Sequence, residues 1–246
     1  MTMWRLEFLR LWRTQRWLIL LAVFVSFGIL GPLTARYLPQ LMESIGEDAV
    51  GSLPAMGPPD GITQYIGNAA QIGLLAIAFV GAAGLAFDAN LEIAVFLRTR
   101  AKVRDILTPR LVLTSVAAVG AFMVGMVVAY VGTGLLLDWL DLWAVILGSL
   151  LFSLYLVFAV VVIAFLSCIL KSVPAVAILS VASLIAVGLL SLVSTVAPWL
   201  PSALVGAIDS LVRGGQFDYW RAIIVTSVLI VGLVSITLRR LEHREL

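Results

Sequence analysis

The chain has 246 residues, 62% of them hydrophobic and 12% charged, with a mean hydropathy of +1.11 and a formal net charge of +2. Soluble domains carry about twice that charge fraction, so composition alone indicates an integral membrane protein and argues against a water-soluble fold. The basic residues gather beside apolar runs rather than over one polar face, which argues against a nucleic-acid partner.

The first predicted element covers residues 4–16, WRLEFLRLWRTQR. Trp4, Phe8, Leu11 and Trp12 share a helical face, with Arg10 and Arg13 at its edge or behind it. This is the pattern of an interfacial helix lying on a leaflet and leading into a span. The apolar run that follows is too long for a signal-peptide core and lacks a clear cleavage site, so an uncleaved anchor is expected.

Six runs are apolar enough to cross a bilayer, which takes roughly 20 helical residues: 17–35, 69–87, 111–137, 142–170, 173–197 and 222–238. The third and fourth exceed the minimum and must tilt or project. Residues 36–68 read as a long connection with a short helix over 38–50, broken by the Gly/Pro-rich GSLPAMGPPDG. A two-residue joint, Lys171-Ser172, with Pro174 in the next first turn, makes the fourth and fifth spans antiparallel neighbours. Between the last two spans, Pro201 opens a segment whose Leu204, Val205, Ile208, Leu211 and Val212 fall on one side, expected as a short helix or re-entrant hairpin. Trp139, Trp143, Trp199, Tyr219 and Trp220 read as interface anchors. Small residues recur every fourth position at Ala78/Ala82/Ala86 and Ala121/Gly125/Ala129/Thr133, a row that lets membrane helices approach closely. Packing within the chain is the first expectation for these rows, and a dimer seam the sharper one. No internal repeat is visible.

Orientation follows from the Lys/Arg bias. Arg5, Arg10, Arg13, Arg16, Arg98, Arg100, Lys102, Arg104, Arg110, Lys171, Arg239, Arg240 and Arg244 fall on one side, thirteen of the sixteen basic residues. Glu43, Glu47, Asp48, Asp60, Asp138, Asp141, Asp209 and Asp218 collect on the other. The asymmetry places both termini and the central loop in the cytoplasm.

That central loop, 88–110, DANLEIAVFLRTRAKVRDILTPR, is the most informative stretch. Ile93, Phe96 and Leu97 share one helical face, and Val103, Ile106 and Leu107 another, which suits a docking surface rather than a purely solvated loop. Thr108-Pro109 reads as an N-cap and first-turn proline starting the third span. Asp88 ends the second span on the unfavourable side of the helix dipole and calls for a basic partner such as Arg98, Arg100 or Arg110. A headgroup-level ion pair and a coupling role both fit it.

Chemistry is sparse. His243 is the only histidine and Cys168 the only cysteine, leaving no histidine triad, multi-histidine metal site, disulfide or thiolate cluster. There is no GxxxxGK[ST] loop and no pair of intramembrane carboxylates. No catalytic, cofactor-binding or metal residues are therefore assigned, and the chain is read as a translocation pathway without its own energy source.

The layout resembles the type-2 ABC exporter permease subunits of the short six-span bacterial kind, across essentially the whole chain. The residues that carry the resemblance are Asp88, Glu92 and the run from Phe96 to Arg110. Ile93-Ala94-Val95 stand where that family often has a small-residue/Thr pattern. The resemblance implies an all-α protein of the bacterial inner membrane with six spans and the central loop as a coupling helix. That loop would seat in a separate ATP-binding subunit through Asp88, Glu92, Phe96, Leu97, Arg98, Thr99, Arg100, Lys102 and Arg104. It implies that the N-terminal helix, with Trp4, Phe8, Arg10, Trp12 and Arg13, also touches that subunit. ATP and magnesium belong to the partner, and the chain pairs with a second copy or a sister permease. The expected cargo is a hydrophobic or amphiphilic solute. The competing expectations are an ATP-independent channel or secondary carrier, a membrane scaffold for a cytoplasmic complex, and, remotely, an intramembrane hydrolase.

Overall fold

The computed structural model describes residues 3–45, 56–85, 103–170 and 172–242. Over these the chain is all-helical, and six helices are long and apolar enough to cross a membrane. In chain order the α-helices among the described residues are α1 (Met3–Arg13), α2 (Arg16–Ile45), α3 (Pro58–Asn68), α4 (Leu74–Leu85), α5 (Val103–Leu136), α6 (Leu142–Ser167), α7 (Val173–Leu190), α8 (Ala207–Val212) and α9 (Trp220–Glu242). A single wide π turn, Ala69–Gly73, joins α3 to α4, so the two form one span.

Several boundaries differ from the sequence reading. The expected long connection over 36–68 is largely helix. α2 runs through Pro32 and Pro39 to Ile45, and α3 starts at Pro58-Pro59. In a membrane helix a proline costs less than in water, because packing and local adjustment re-satisfy the freed carbonyl. The proline pair at 58–59 sits where no intrahelical N–H is needed, and the Gly57 N–H donates to Asp60 Oδ2 at 2.7 Å, closing the first turn. Likewise Thr108-Pro109 does not open a helix: α5 is continuous from Val103, with Pro109 inside it. α7 ends at Leu190 rather than at 197, where tight turns take over.

Other expectations hold. Ser172 caps α7, its Oγ accepting from the Ala175 N–H at 3.3 Å, with Pro174 in the first turn. Pro201 opens a 3₁₀ turn (Pro201–Leu204) followed by α8, and Leu204, Ile208 and Leu211 are buried beneath. Gln15, at φ 52°, reverses the chain between α1 and α2.

The core is organised on α6, which is buried along 72% of its apolar stretch, against 22% for α7 and 17% for α9. Its hydroxyls are satisfied within the helix: Ser149, Ser153 and Ser167 donate to carbonyls one turn back at 2.6–2.7 Å. Around it, Phe24, Tyr65, Phe122 and Phe152 form a wholly buried aromatic cluster joining α2, α3, α5 and α6. The α2–α5 crossing is the tightest contact. A methyl on Gly125 would sit 2.5 Å from the Phe24 carbonyl oxygen and 2.5 Å from Tyr65 Oη, and one on Gly28 would strike the Gly125 carbonyl oxygen. The small-residue row through Ala121, Gly125, Ala129 and Thr133 thus serves packing inside the chain.

Replacing Gly125 with Val should therefore destabilise the bundle by at least about 1–3 kcal/mol through overpacking. Gly120→Ala, whose methyl meets nothing within 4 Å, should be neutral or stabilising by up to about 1 kcal/mol. Thermal unfolding of both variants in detergent, followed by monodispersity, checks this pair.

Candidate functional site

The bundle has two unlike ends. At the basal end, Leu107 of α5, Cys168 after α6 and Leu241 of α9 pack together, so the start of α5, the end of α6 and the end of α9 lie there. α1 lies against the same end. Its Glu7 Oε1 accepts from Arg110 Nε at 2.6 Å, and Glu7 Oε2 lies 3.6 Å from Arg10 Nη1. The pair is well buried, with side-chain exposures of 13% for Glu7 and 7% for Arg110. The polar side of α1 therefore faces the bundle, while Trp4, Phe8 and Trp12 point outward, about half exposed. Phe8 stacks on Trp12, and Trp12 on Trp17 at 4.9 Å. A helix that hides its ion pair and exposes its aromatics suits a lipid surface.

Of the residues expected to form the coupling loop, Asp88, Glu92, Phe96, Leu97, Arg98, Thr99, Arg100 and Lys102 lie outside the described residues. Arg104 is described and exposed on the first turn of α5, with Ile106 and Leu107 buried behind it. Arg13 is exposed and Arg10 half-buried. The structure brings Arg10 to Arg110 across α1 and α5 through Glu7, a link the sequence reading missed. Glu7 is the only acid in the basic N-terminal segment, and that was the available signal.

At the opposite end, Arg213 bridges two acids. Its Nη2 donates to Asp60 Oδ1 at 2.6 Å and its Nε to Asp209 Oδ1 at 2.7 Å, while the Thr63 hydroxyl donates to Asp209 Oδ1 at 2.6 Å. This clasp ties the start of the second span to α8. Burial pushes the Asp209 carboxyl up, but the Thr63 hydroxyl and the Arg213 guanidinium outweigh it and hold the group below its ordinary value.

An open cavity of about 460 Å³ lies between the second, fourth and fifth spans and residues 202–205 at the Pro201 turn. Gln71 of the π turn, Leu74, Tyr155, Leu184, Ser202 and Val205 are on its wall. Its size falls within the range of about 300–1,000 Å³ typical of small-molecule sites, and its lining is mainly apolar with a few polar groups. π turns inside helices are frequent at functional sites. Gln71 is the one amide in the apolar run 69–87 and marked the place in sequence. None of the described lining residues is acidic or basic. Among the described residues no three of His, Cys, Asp and Glu come together.

The class this defines is a multi-pass helical membrane protein. No family model, curated protein or solved structure matches the chain.

Two outcomes follow from the ends. Glu7→Gln should weaken the hold of α1 by about 1.5–3 kcal/mol, the worth of a hydrogen bond to a charged group. Faster proteolysis after Arg13 or Arg16 in liposomes reads it. The Asp209 value is lowered on folding, so its contribution is complete above the unfolded carboxylate value of about 3.9 and is lost as pH falls through the lower folded value. Hydrogen exchange of α8, corrected for intrinsic rate, should therefore accelerate in that acid window, and Asp209→Asn should be fast already at neutral pH.

Proposed function

We propose that the chain is the membrane permease subunit of an ATP-driven exporter of the type-2 ABC kind, oriented with its basal end in the cytoplasm and carrying a hydrophobic or amphiphilic solute. The observation that carries this reading is the open, uncharged cavity walled by the second, fourth and fifth spans. It suits an apolar molecule, and among the described residues its wall holds no carboxylate or cation to couple transport to protons or sodium. The energy must then arrive through the protein, and α5 is built to carry it. It is one helix of 34 residues, about 50 Å long, that begins directly after the basic stretch 88–102.

A push on that stretch travels along α5, past the Glu7–Arg110 contact that carries α1 with it. It passes the Gly28–Gly125 crossing and ends near Thr133, close to Gly61 of α3. In this mechanism a separate ATPase dimer, closing on ATP and magnesium, draws two coupling loops together and changes access to the cavity. The second loop belongs to another copy or a sister permease. The weakly buried α7 and α9 leave apolar flanks for that partner or for lipid.

The test is affinity purification of the chain from its native membrane in mild detergent, with mass spectrometry of what accompanies it. A stoichiometric soluble ATPase, lost on Arg98→Glu/Arg100→Glu while insertion is preserved, is expected. Recovery of the chain alone or only with itself overturns the reading in favour of an ATP-independent carrier or a scaffold.

A further inference from the structure

Among the described residues, three cations and one carboxylate line a cleft at the basal end. Arg10, Arg16 and Arg110 line it together with Thr14, Thr114 and Glu7. Arg10 and Arg16 are both near enough to repel the Arg110 guanidinium, so among the described residues three cations gather on one carboxylate. Arg10 and Arg110 reach Glu7; Arg16, half-buried, has no ion pair or hydrogen bond among the described residues. It extends inward toward Gly84, where an added methyl would sit 3.8 Å from its Nη1 and 3.9 Å from Thr114 Oγ1. A guanidinium withdrawn from water with no partner is costly, and its planar fork matches a phosphate.

The position of the cleft selects the kind of phosphate. Arg16 and Gly84 lie at the ends of the first two candidate spans, and Arg110 lies six residues into the third. The stacked Trp12 and Trp17 sit beside it, at the level where indoles anchor in headgroups. Apolar Val80 and Leu113 form the remaining wall, a surface for the upper part of an acyl chain. The enclosed volume is about 30 Å³, room for one or two water-sized oxygens but not for a headgroup. The phosphorus therefore lies at the mouth with its oxygens turned in. We propose that Arg10, Arg16 and Arg110, gathered around Glu7 between α1, α2 and α5, bind the phosphate of an anionic phospholipid from the adjoining leaflet. Basic pockets between spans on the cytoplasmic side have this role in general. The bound lipid would hold α1 to the bundle as a second fastening beside the Glu7–Arg110 pair. The inference does not depend on what the protein transports.

The experiment is native mass spectrometry of the full chain released from nanodiscs of phosphatidylcholine doped with phosphatidylglycerol. The wild type should retain one phosphatidylglycerol per chain. Arg16→Gln and Arg10→Gln should each lower its occupancy by about fivefold, whereas Arg5→Gln and Arg239→Gln, on exposed basal positions, should leave it unchanged. Circular dichroism and monodispersity of the variants separate lost binding from lost folding. Equal retention by the wild type and Arg16→Gln overturns the proposal, as does equal retention of phosphatidylcholine. Complete displacement of the lipid by inorganic phosphate makes the cleft a free-phosphate site and also overturns it. So does loss of a co-purifying protein, rather than of lipid, in Arg16→Gln.

Discussion

The close crossing of α2 on α5 at Gly28 and Gly125 is the contact on which the bundle depends. In lipid no hydrophobic force draws helices together, so association rests on van der Waals contact and on hydrogen bonds that hydrocarbon cannot replace. Two glycines facing each other let helices of 30 and 34 residues approach until backbone meets backbone. The Tyr65 hydroxyl uses that proximity, donating to the Phe122 carbonyl oxygen at 2.7 Å from the third helix of the junction. Phe122 stacks on Tyr65, meets Phe24 edge-on and leans on Phe152 at 4.6 Å, carrying the junction to α6. With α6 held there, α7 and α9 fall to the outside, and the space between the second, fourth and fifth spans stays open.

The two ends divide the work of that frame. The basal end is basic, with α1 held by a buried ion pair whose polarity is turned inward and whose aromatics are turned outward. The opposite end carries an acid–base clasp between the second span and α8, partly exposed and of small worth on its own, since exposed ion pairs contribute about 0–1 kcal/mol. In the proposed exporter, a strong fastening at one end and a weak one at the other would suit a pathway driven from the basal end and opening at the other. α5 touches both ends, through Arg110 at one and Thr133 beside Gly61 at the other, and is the link that the proposed mechanism uses.

Much of this was legible in the sequence because lipid imposes strong rules. The six spans, the interfacial helix, the α6–α7 joint and the helix after Pro201 follow from apolar length, aromatic spacing and proline placement. What the sequence hid depended on neighbours. Pro109 read as the first turn of a new helix, but in a packed membrane helix its lost hydrogen bond is compensated nearby, and the helix runs through it. The π turn at Ala69–Gly73 has no local signature. Arg213 and Asp60 are 153 residues apart, and Glu7 and Arg110 are 103 apart, so neither pair is visible to any window. The centrality of α6 was hidden because all the spans are apolar on every side, and periodicity then carries no inward direction. The basic loop expected to dock an ATPase lies mostly outside the described residues, and its expected role still rests on the pattern from Asp88 to Arg110.

Every functional step above requires the basal end to face the cytoplasm, which makes orientation the claim to measure first. Single cysteines placed at Arg13 and at Gln216, in a chain carrying Cys168→Ser, are probed with a membrane-impermeant maleimide in intact and permeabilised cells. Labelling of the Gln216→Cys chain in intact cells, and of the Arg13→Cys chain only after permeabilisation, is the predicted result. The reverse pattern would put the basic end outside, beyond the reach of any cytoplasmic ATPase, and would contradict the account.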